Sequence, residues 1–184
     1  MKKLLAVIDY QNDFVSGALG FSGAETIDHE IAHLVQAWLA MGDLVLFTLD
    51  THQEDYLQTR EGLALPVPHC LAGSFGAQLY GETQALCCET CANAQIHVVH
   101  KHSFGMDPAD ALRLRERIGE DVTEIQIVGL VTNLCVLSNA IMLQSTWPNA
   151  QITVDAALCR SFDPKLHQKA LDILKGLQIH VIHE

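Results

Sequence analysis

Continuous apolar runs alternate with amphipathic stretches along this chain. Residues 4–8 are all apolar, which is typical of a strand that is buried on both faces. Between residues 27 and 39, apolar side chains recur at helical spacing and predict a helix with one apolar stripe. Further apolar runs predict strands at residues 44–49, 96–100, 125–128, 152–154 and 178–182. The pattern therefore predicts six strands, most of them separated by helices.

Turn and capping residues mark where several helices begin and end. The Asp-Pro pairs at 107–108 and 163–164 each place a capping side chain before a first-turn proline, so a helix should begin at both points. Gly42 and Gly119 are expected to end two helices, since glycine accepts the conformation that follows a last turn. Ser22 and Glu25 have the spacing of a capping box. A short helix is expected around residues 76–80.

Strands joined by helical crossovers define the expected fold class. We expect a single α/β domain over residues 1–184, with three α/β/α layers around a six-stranded, mainly parallel sheet in a Rossmann-like order. The length of 184 residues is compatible with one domain that buries a substantial core.

Charge and apolar run length argue against two classes of partner. The formal net charge is −11, whereas surfaces that bind nucleic acid are basic, so we expect no nucleic acid partner. No run approaches the ~20 apolar residues that span a membrane, and the first run stops at Asp9, too early for a signal peptide. We therefore expect a cytoplasmic protein without membrane contact. The apolar fraction of 49% favours a homo-oligomer.

Six cysteines are present, and Cys87, Cys88 and Cys91 form a cluster. In a cytosolic chain of this size, cysteines are expected to remain thiols. The cluster contains one C-x-x-C spacing, which supplies at most half of a zinc site. A helix end with small, oxidisable side chains is the favoured interpretation, and a metal or redox role is the alternative.

Another cysteine, Cys135, lies where an apolar strand passes through a short turn into a helix expected at residues 133–144. Backbone N–H groups and the helix dipole favour the nucleophilic thiolate at such a position. Asp9 and Lys101 each end another strand, and parallel α/β sheets assemble sites at the carboxyl ends of their strands. Each residue alone also fits a turn cap, a solvated strand end or a core thiol, so their joint occurrence carries the hypothesis.

A second group of polar residues follows the strand at 44–49. Asp50 and His52 are two residues apart, so an extended backbone points both side chains to one side. Glu61 and His69 lie in the irregular stretch that follows. Carboxylate and imidazole groups together predict a divalent metal ion, with zinc as the first candidate. The alternative is a polar loop whose histidines are hydrogen-bonded.

Four ordered segments resemble the isochorismatase-like superfamily of cysteine hydrolases, most closely its nicotinamidase branch. In chain order they resemble the family's catalytic aspartate strand, its metal loop, its lysine and its G-x-x-T-D-x-C-V nucleophile turn. The segments are Ala6-Val7-Ile8-Asp9-Tyr10-Gln11-Asn12-Asp13-Phe14, Asp50-Thr51-His52 with Leu65-Pro66-Val67-Pro68-His69-Cys70, Val99-His100-Lys101, and Gly129-Leu130-Val131-Thr132-Asn133-Leu134-Cys135-Val136. Asn133 stands where the turn usually has Asp, and Leu134 where an aromatic residue or His is common.

The resemblance implies a role for each residue around the thiol. Cys135 would be the nucleophile, Asp9 its general base, and Lys101 the cation that holds Asp9 and steadies developing charge. The family turn carries a cis peptide bond, which here would join Leu130 to Val131. The backbone N–H groups of Val131 and Cys135 would then form an oxyanion hole.

The resemblance also implies the substrate and its surroundings. A small amide would be hydrolysed through a thioester, with nicotinamide giving nicotinate and ammonia, and Phe14, Phe104 and Leu134 would line the pocket. Alternatives are a hydrolase of the same fold acting on another small amide, a carbamoyl compound or an isochorismate-like substrate, and a non-catalytic member that binds a metal or a partner. The implied metal ligands are Asp50, His52, His69 and, as in some members, Glu61.

Overall fold

A computed structural model of the protein describes residues 2–87 and 93–184. Within them, six strands form one sheet in which every neighbouring pair is parallel. The strands are β1 (Lys2–Ile8), β2 (Leu44–Asp50), β3 (Ile96–Lys101), β4 (Val122–Leu130), β5 (Gln151–Arg160) and β6 (His180–Ile182). Their order across the sheet is β3-β2-β1-β4-β5-β6, which confirms the predicted parallel sheet and its Rossmann-like order.

Helices connect these strands. Among the described residues the α-helices are α1 (Asn12–Val15), α2 (Asp28–Ala40), α3 (Arg60–Ala64), α4 (Gly81–Leu86), α5 (Pro108–Ile118), α6 (Leu137–Thr146) and α7 (Pro164–Gly176). Single turns of 3₁₀ helix lie at Ala24–Ile27 and Tyr56–Gln58, and a π turn at Thr132–Val136 precedes α6.

The helices cover both faces of the sheet. On one face, α2 buries Ile31 and Val35 against β1 and β2, and α4 packs beside α2. On the other face, α5, α6 and α7 bury Leu114, Leu143 and Leu174 in a separate apolar core. The three predicted layers are therefore confirmed.

Most of the predicted helix ends are also confirmed. The side chains of Asp107 and Asp163 accept hydrogen bonds from first-turn N–H groups of α5 and α7. Gly42 and Gly119 follow α2 and α5 with φ values of 84° and 105°. These left-handed conformations explain why glycine stands at both helix ends.

The helix predicted around residues 76–80 is wrong. That segment instead runs beside the chain that follows β1, where the N–H of Asp13 donates to the carbonyl of Gly76 and the N–H of Tyr80 donates to the carbonyl of Tyr10. Gly76 also leaves room for the Asp13 carboxylate, because a Cβ there would lie 2.0 Å from an oxygen of Asp13. The helix begins only at Gly81.

The capping box predicted for Ser22 and Glu25 is wrong by one residue. Glu25 Oε2 accepts a hydrogen bond of 3.0 Å from the N–H of Gly23 rather than from that of Ser22. Gly23 adopts a φ of 93° and precedes the 3₁₀ turn that leads into α2. The left-handed glycine thus starts the helical segment one residue later than the capping-box spacing indicates.

Gly129 allows β4 to approach the end of β1. Its φ is 116°, and a Cβ at this position would lie 2.1 Å from the carbonyl oxygen of Ile8. The pairing of β4 with β5 also shifts register between Ile127 and Gly129. Only glycine fits this position, which brings the residues after β4 beside those after β1.

We predict that Gly129→Ala lowers the free energy of unfolding by at least about 2 kcal/mol, because it adds both a backbone clash and an unfavourable φ. Urea denaturation followed by circular dichroism measures the change. Gly176→Ala is the matched control, since a Cβ there meets no atom within 4 Å and alanine favours the helix. Equal stability of the two variants would contradict the role of Gly129.

Candidate active site

Four polar side chains meet at the carboxyl edge of the sheet. Asp9 directly follows β1, Asp50 ends β2, Lys101 ends β3, and Cys135 lies in the turn after β4. Because these four strands are neighbours and parallel, their carboxyl ends share one edge. The structure thus brings together the carboxylate, ammonium and thiol groups that the sequence singles out.

The ammonium group of Lys101 is the centre of this cluster. The residue is 1% exposed, and Nζ lies 2.6 Å from Asp9 Oδ2, 3.2 Å from Asp50 Oδ1 and 3.7 Å from Cys135 Sγ. Nζ also donates a hydrogen bond of 2.9 Å to the carbonyl of Ser103. Burial alone would lower the pKa of Lys101, but attraction to the carboxylates outweighs it and raises the pKa, so the lysine stays protonated.

Asp9 is held by both its backbone and its side chain. Its φ is 46°, a left-handed conformation that Asp tolerates better than most residues. Its N–H donates to the carbonyl of Thr48 at 3.2 Å, and Thr48 Oγ1 donates to Asp9 Oδ1 at 2.6 Å. Sequence reasoning missed Thr48, since a threonine inside a buried strand has no distinguishing pattern.

Cys135 is presented by the π turn that leads into α6. The cis peptide bond implied by the family resemblance is present between Leu130 and Val131, directly before this turn. Asn139 Nδ2 donates to the carbonyl of Cys135 at 2.8 Å and fixes the turn from within α6. The helix predicted from residue 133 therefore opens with a wider turn, a feature often found at functional sites.

Burial acts against the thiolate expected at Cys135. It raises the pKa of the Cys135 thiol well above its usual value, and the charges of Asp9 and Asp50 raise it further. The charge of Lys101 lowers the pKa of the same thiol. Burial also raises the pKa of Asp9, against the attraction of Lys101. Loss of water thus opposes the stabilisation of the thiolate that the helix position supplies.

Asp50 also belongs to the predicted metal site. One ligand atom from each of Asp50, His52, Glu61 and His69 lies within 4.8 Å of the others. Asp50 Oδ2 is 3.0 Å from His52 Nε2 and 3.4 Å from His69 Nε2, and Glu61 Oε1 is 4.0 Å from His52 Nε2. Burial alone would raise the pKa of Asp50, but hydrogen bonds with both histidines and the charge of Lys101 lower it. The structure brings all four predicted ligands together.

The loop around His69 directs these donor atoms toward one another. His69 Nδ1 donates to the carbonyl of Val67 at 2.8 Å, and Nε2, the nitrogen that would bind an ion, faces Asp50. The carbonyl of Cys70 accepts from the N–H of His52 at 3.0 Å and joins the two halves of the loop. Two imidazoles and two carboxylates around one small space fit a divalent ion such as zinc.

Two polar residues that sequence analysis did not single out, Gln11 and Asp13, connect this loop to the segment that follows β1. Gln11 Nε2 donates to the carbonyl of Asp50 at 2.9 Å, and Gln11 Oε1 accepts from the N–H of Asp50 at 2.7 Å. Asp13 Oδ2 accepts from the N–H of Cys70 at 2.7 Å. Their position in the family-like segment that begins before Asp9 is the signal that could have found them.

A cavity of about 510 Å³ opens onto Cys135 and onto part of the candidate metal site. The predicted pocket residues Phe14, Phe104 and Leu134 all line it, together with Val131. Cys135, Asp50, Glu61 and His69 supply its ionisable lining, and among the described residues no lysine or arginine lines it. The cavity is therefore mainly apolar, with its polar groups drawn from the two clusters above.

Two sequence-based expectations concern features away from this site. Cys88 and Cys91 lie outside the described residues, so the interpretations of the cysteine cluster remain predictions. Across residues 2–87 and 93–184, no helix is both long enough and apolar enough to cross a membrane.

The fold and the site together define a class of protein. It is a doubly wound α/β protein whose sheet edge carries a buried thiol, a carboxylate–ammonium pair and a cluster of side chains that could hold a metal ion. A model of the Isochorismatase domain matches residues 3–183, and the chain belongs to the isochorismatase family.

The chain is similar over its whole length to several proteins of known structure or sequence. The structure of the nicotinamidase PncA from Bacillus subtilis is 32% identical, with 100% of both chains covered and a TM-score of 0.86. The nicotinamidase of Saccharomyces cerevisiae is 24% identical over 98% of this chain and 99% of its own length. The pyrazinamidase of Pyrococcus horikoshii, solved in complex with zinc, shares the fold at 21% identity, full coverage of both chains and a TM-score of 0.81.

We predict that His69→Ala weakens zinc binding more than about 100-fold, since loss of an outer partner of a ligand alone costs 10–100-fold. Competition with a chromogenic chelator measures the affinity, and the metal content of the purified protein provides an independent check. His29→Ala is the control, because His29 is exposed and pairs with Glu82 away from the cluster. Unchanged zinc affinity in His69→Ala would exclude this residue as a ligand.

Proposed function

We propose that this protein is a cysteine-dependent amidohydrolase of the nicotinamidase type, which hydrolyses nicotinamide to nicotinate and ammonia. The observation that carries the proposal is the contact of one buried ammonium, Lys101 Nζ, with both Asp9 and Cys135 beside a mainly apolar cavity. The family assignment and the similarity to proteins named nicotinamidase support the same reaction.

In the first half of the reaction, Asp9 accepts the proton of Cys135 while the sulfur attacks the amide carbon. The attack needs no resting thiolate, because the proton leaves as the C–S bond forms. We assign the oxyanion to the N–H groups of Val131 and Cys135, where loss of one donor typically costs about 3 kcal/mol. Asp9 then gives the proton to the leaving nitrogen, the C–N bond breaks, and ammonia departs from a thioester.

In the second half, water attacks the thioester carbon and Asp9 accepts its proton. The C–S bond breaks, the proton returns to the sulfur of Cys135, and the carboxylic acid product leaves and releases its own proton to solvent. Lys101 remains protonated throughout and stabilises negative charge on whichever of its two neighbours carries it. This role follows from its contacts with both groups and from its raised pKa.

We further propose that the metal is zinc. The donor set and the zinc complex of a protein with the same fold support this choice. When bound, the ion would supply a Lewis acid that holds a heteroatom of the substrate and orients the amide. The rings of Phe14 and His69 pack edge to face, with centroids 5.5 Å apart. The candidate ligand His69 thus contacts an apolar side chain of the cavity lining. The residues that would hold the ion are Asp50, His52, Glu61 and His69.

The charge of the cavity lining favours a neutral amide over the alternative substrates. Isochorismate-like compounds carry carboxylates, whereas no lysine or arginine lines the described part of the cavity. Nicotinamide is neutral and planar, and the rings of Phe14 and Phe104 can cover its faces. A non-catalytic binding role is the weaker hypothesis, since it does not require a buried thiol in contact with an ion pair.

The proposal also covers the location, the partner and the oligomeric state of the protein. We infer a cytoplasmic enzyme that acts on a small-molecule amide as a homo-oligomer. Its reduced thiols suit a cytoplasmic setting. Size-exclusion chromatography with light scattering measures the oligomeric state.

We predict that Cys135→Ala lowers the rate of ammonia release from nicotinamide at least about 1,000-fold, because no other group replaces the nucleophile. The variant should keep its circular dichroism spectrum and its zinc content. Cys159→Ala, which removes a buried thiol of β5 outside the site, should retain activity. More than about a thousandth of the wild-type rate in Cys135→Ala would overturn the nucleophile assignment.

A further inference from the structure

The lining of the cavity falls into two chemical sets. Cys135 and the metal-site residues supply its ionisable groups. The segment at residues 18–21 and Phe162 also line the cavity, and they present only apolar side chains and glycine. A single-ring amide that engages the thiol and the metal ligands together uses the ionisable set, so the apolar set remains available.

The cavity is also larger than a single-ring amide requires. At about 510 Å³, it falls within the range of pockets that bury drug-sized ligands. Its largest apolar side chains include Phe21, Phe104 and Phe162. The space beside them therefore suits a second apolar group attached to the substrate ring.

Two of these rings are exposed although they line the cavity. Phe162 is 57% exposed and Phe104 is 38% exposed. Phe162 meets Phe21 edge to face, with ring centroids 6.3 Å apart and an interplanar angle of 81°. Exposed aromatic rings at the mouth of an apolar cavity are typical of a surface that a ligand covers.

The segments that carry the exposed rings are tied to the turn that carries Cys135. Ser161 Oγ, next to Phe162, donates to Asn133 Oδ1 at 2.6 Å. Asn139 Nδ2 donates to the carbonyl of Phe104 at 3.0 Å as well as to that of Cys135. The backbone at both rings is thus positioned relative to the sulfur, which lowers the cost of ordering a ligand between them.

From this arrangement we propose that the outer part of the cavity is an apolar subsite for a ring substituent. The inference rests on the proposed amidohydrolase function and names its substrate class: neutral aromatic carboxamides with an apolar group on the ring, remote from the amide. Phe162, supported by Phe21, is the specificity-determining residue. The lack of lysine and arginine in the described lining excludes an anionic substituent.

The test compares nicotinamide with nicotinamides that carry a phenyl group on ring carbon 5 or 6. Ammonia release is measured for the zinc-loaded wild type, for Phe162→Ala and for Phe75→Ala. Phe75 is 70% exposed and lies outside the cavity lining, so its variant is the matched control. We expect the better phenyl compound to exceed nicotinamide in kcat/KM by about 10-fold, the value of one good aromatic contact.

Phe162→Ala should remove this advantage through KM, leaving kcat/KM for nicotinamide within about 2-fold of wild type, while Phe75→Ala changes neither. Turnover of nicotinamide without any gain from a phenyl group, or equal losses for both substrates in Phe162→Ala, would overturn the subsite and leave the proposed function intact. Failure to hydrolyse either compound class would overturn the proposed function and the subsite with it.

Discussion

One buried positive charge governs the arrangement of this site. An ammonium group removed from water is tolerated only when it is paired and hydrogen-bonded, and Lys101 obtains both from the ends of neighbouring strands. The register of β2 and β3 places Asp50 directly beside Lys101, and β1 supplies Asp9 from the next position in the sheet. The contacts that make the fold compatible with this charge are therefore the same contacts that bring Asp9, Lys101 and Cys135 together.

Asp50 links the two halves of the site. Its Oδ1 contacts Lys101 at 3.2 Å, while its Oδ2 faces His52 and His69 at 3.0 and 3.4 Å. One carboxylate thus serves both the ammonium beside the thiol and the candidate metal centre. Gln11, which bonds to both backbone groups of Asp50, fixes this shared residue. Asp50 is therefore the side chain that joins the candidate metal site to the ammonium beside the thiol.

The sequence predicts the layers, the parallel sheet and the meeting of Asp9, Lys101 and Cys135, because strand ends in an α/β sheet share one edge. It does not predict contacts that depend on tertiary pairing. A short helix is expected at residues 76–80, yet this segment pairs with the chain after β1. Thr48 reaches Asp9 only because β1 and β2 are in register. The ionisation of Cys135 was also beyond sequence reasoning, since it depends on burial and on three neighbouring charges.

The pH dependence of alkylation at Cys135 tests this account most directly. The protein is first stripped of metal with a chelator, so that no further cation contributes, and the modified peptide is quantified by mass spectrometry after reaction with iodoacetamide. Because only the thiolate reacts and burial outweighs the charge of Lys101, the rate should still be rising above pH 9.0. A rate that levels off near or below neutral pH would contradict the account, since it would mean that Lys101 stabilises a resting thiolate.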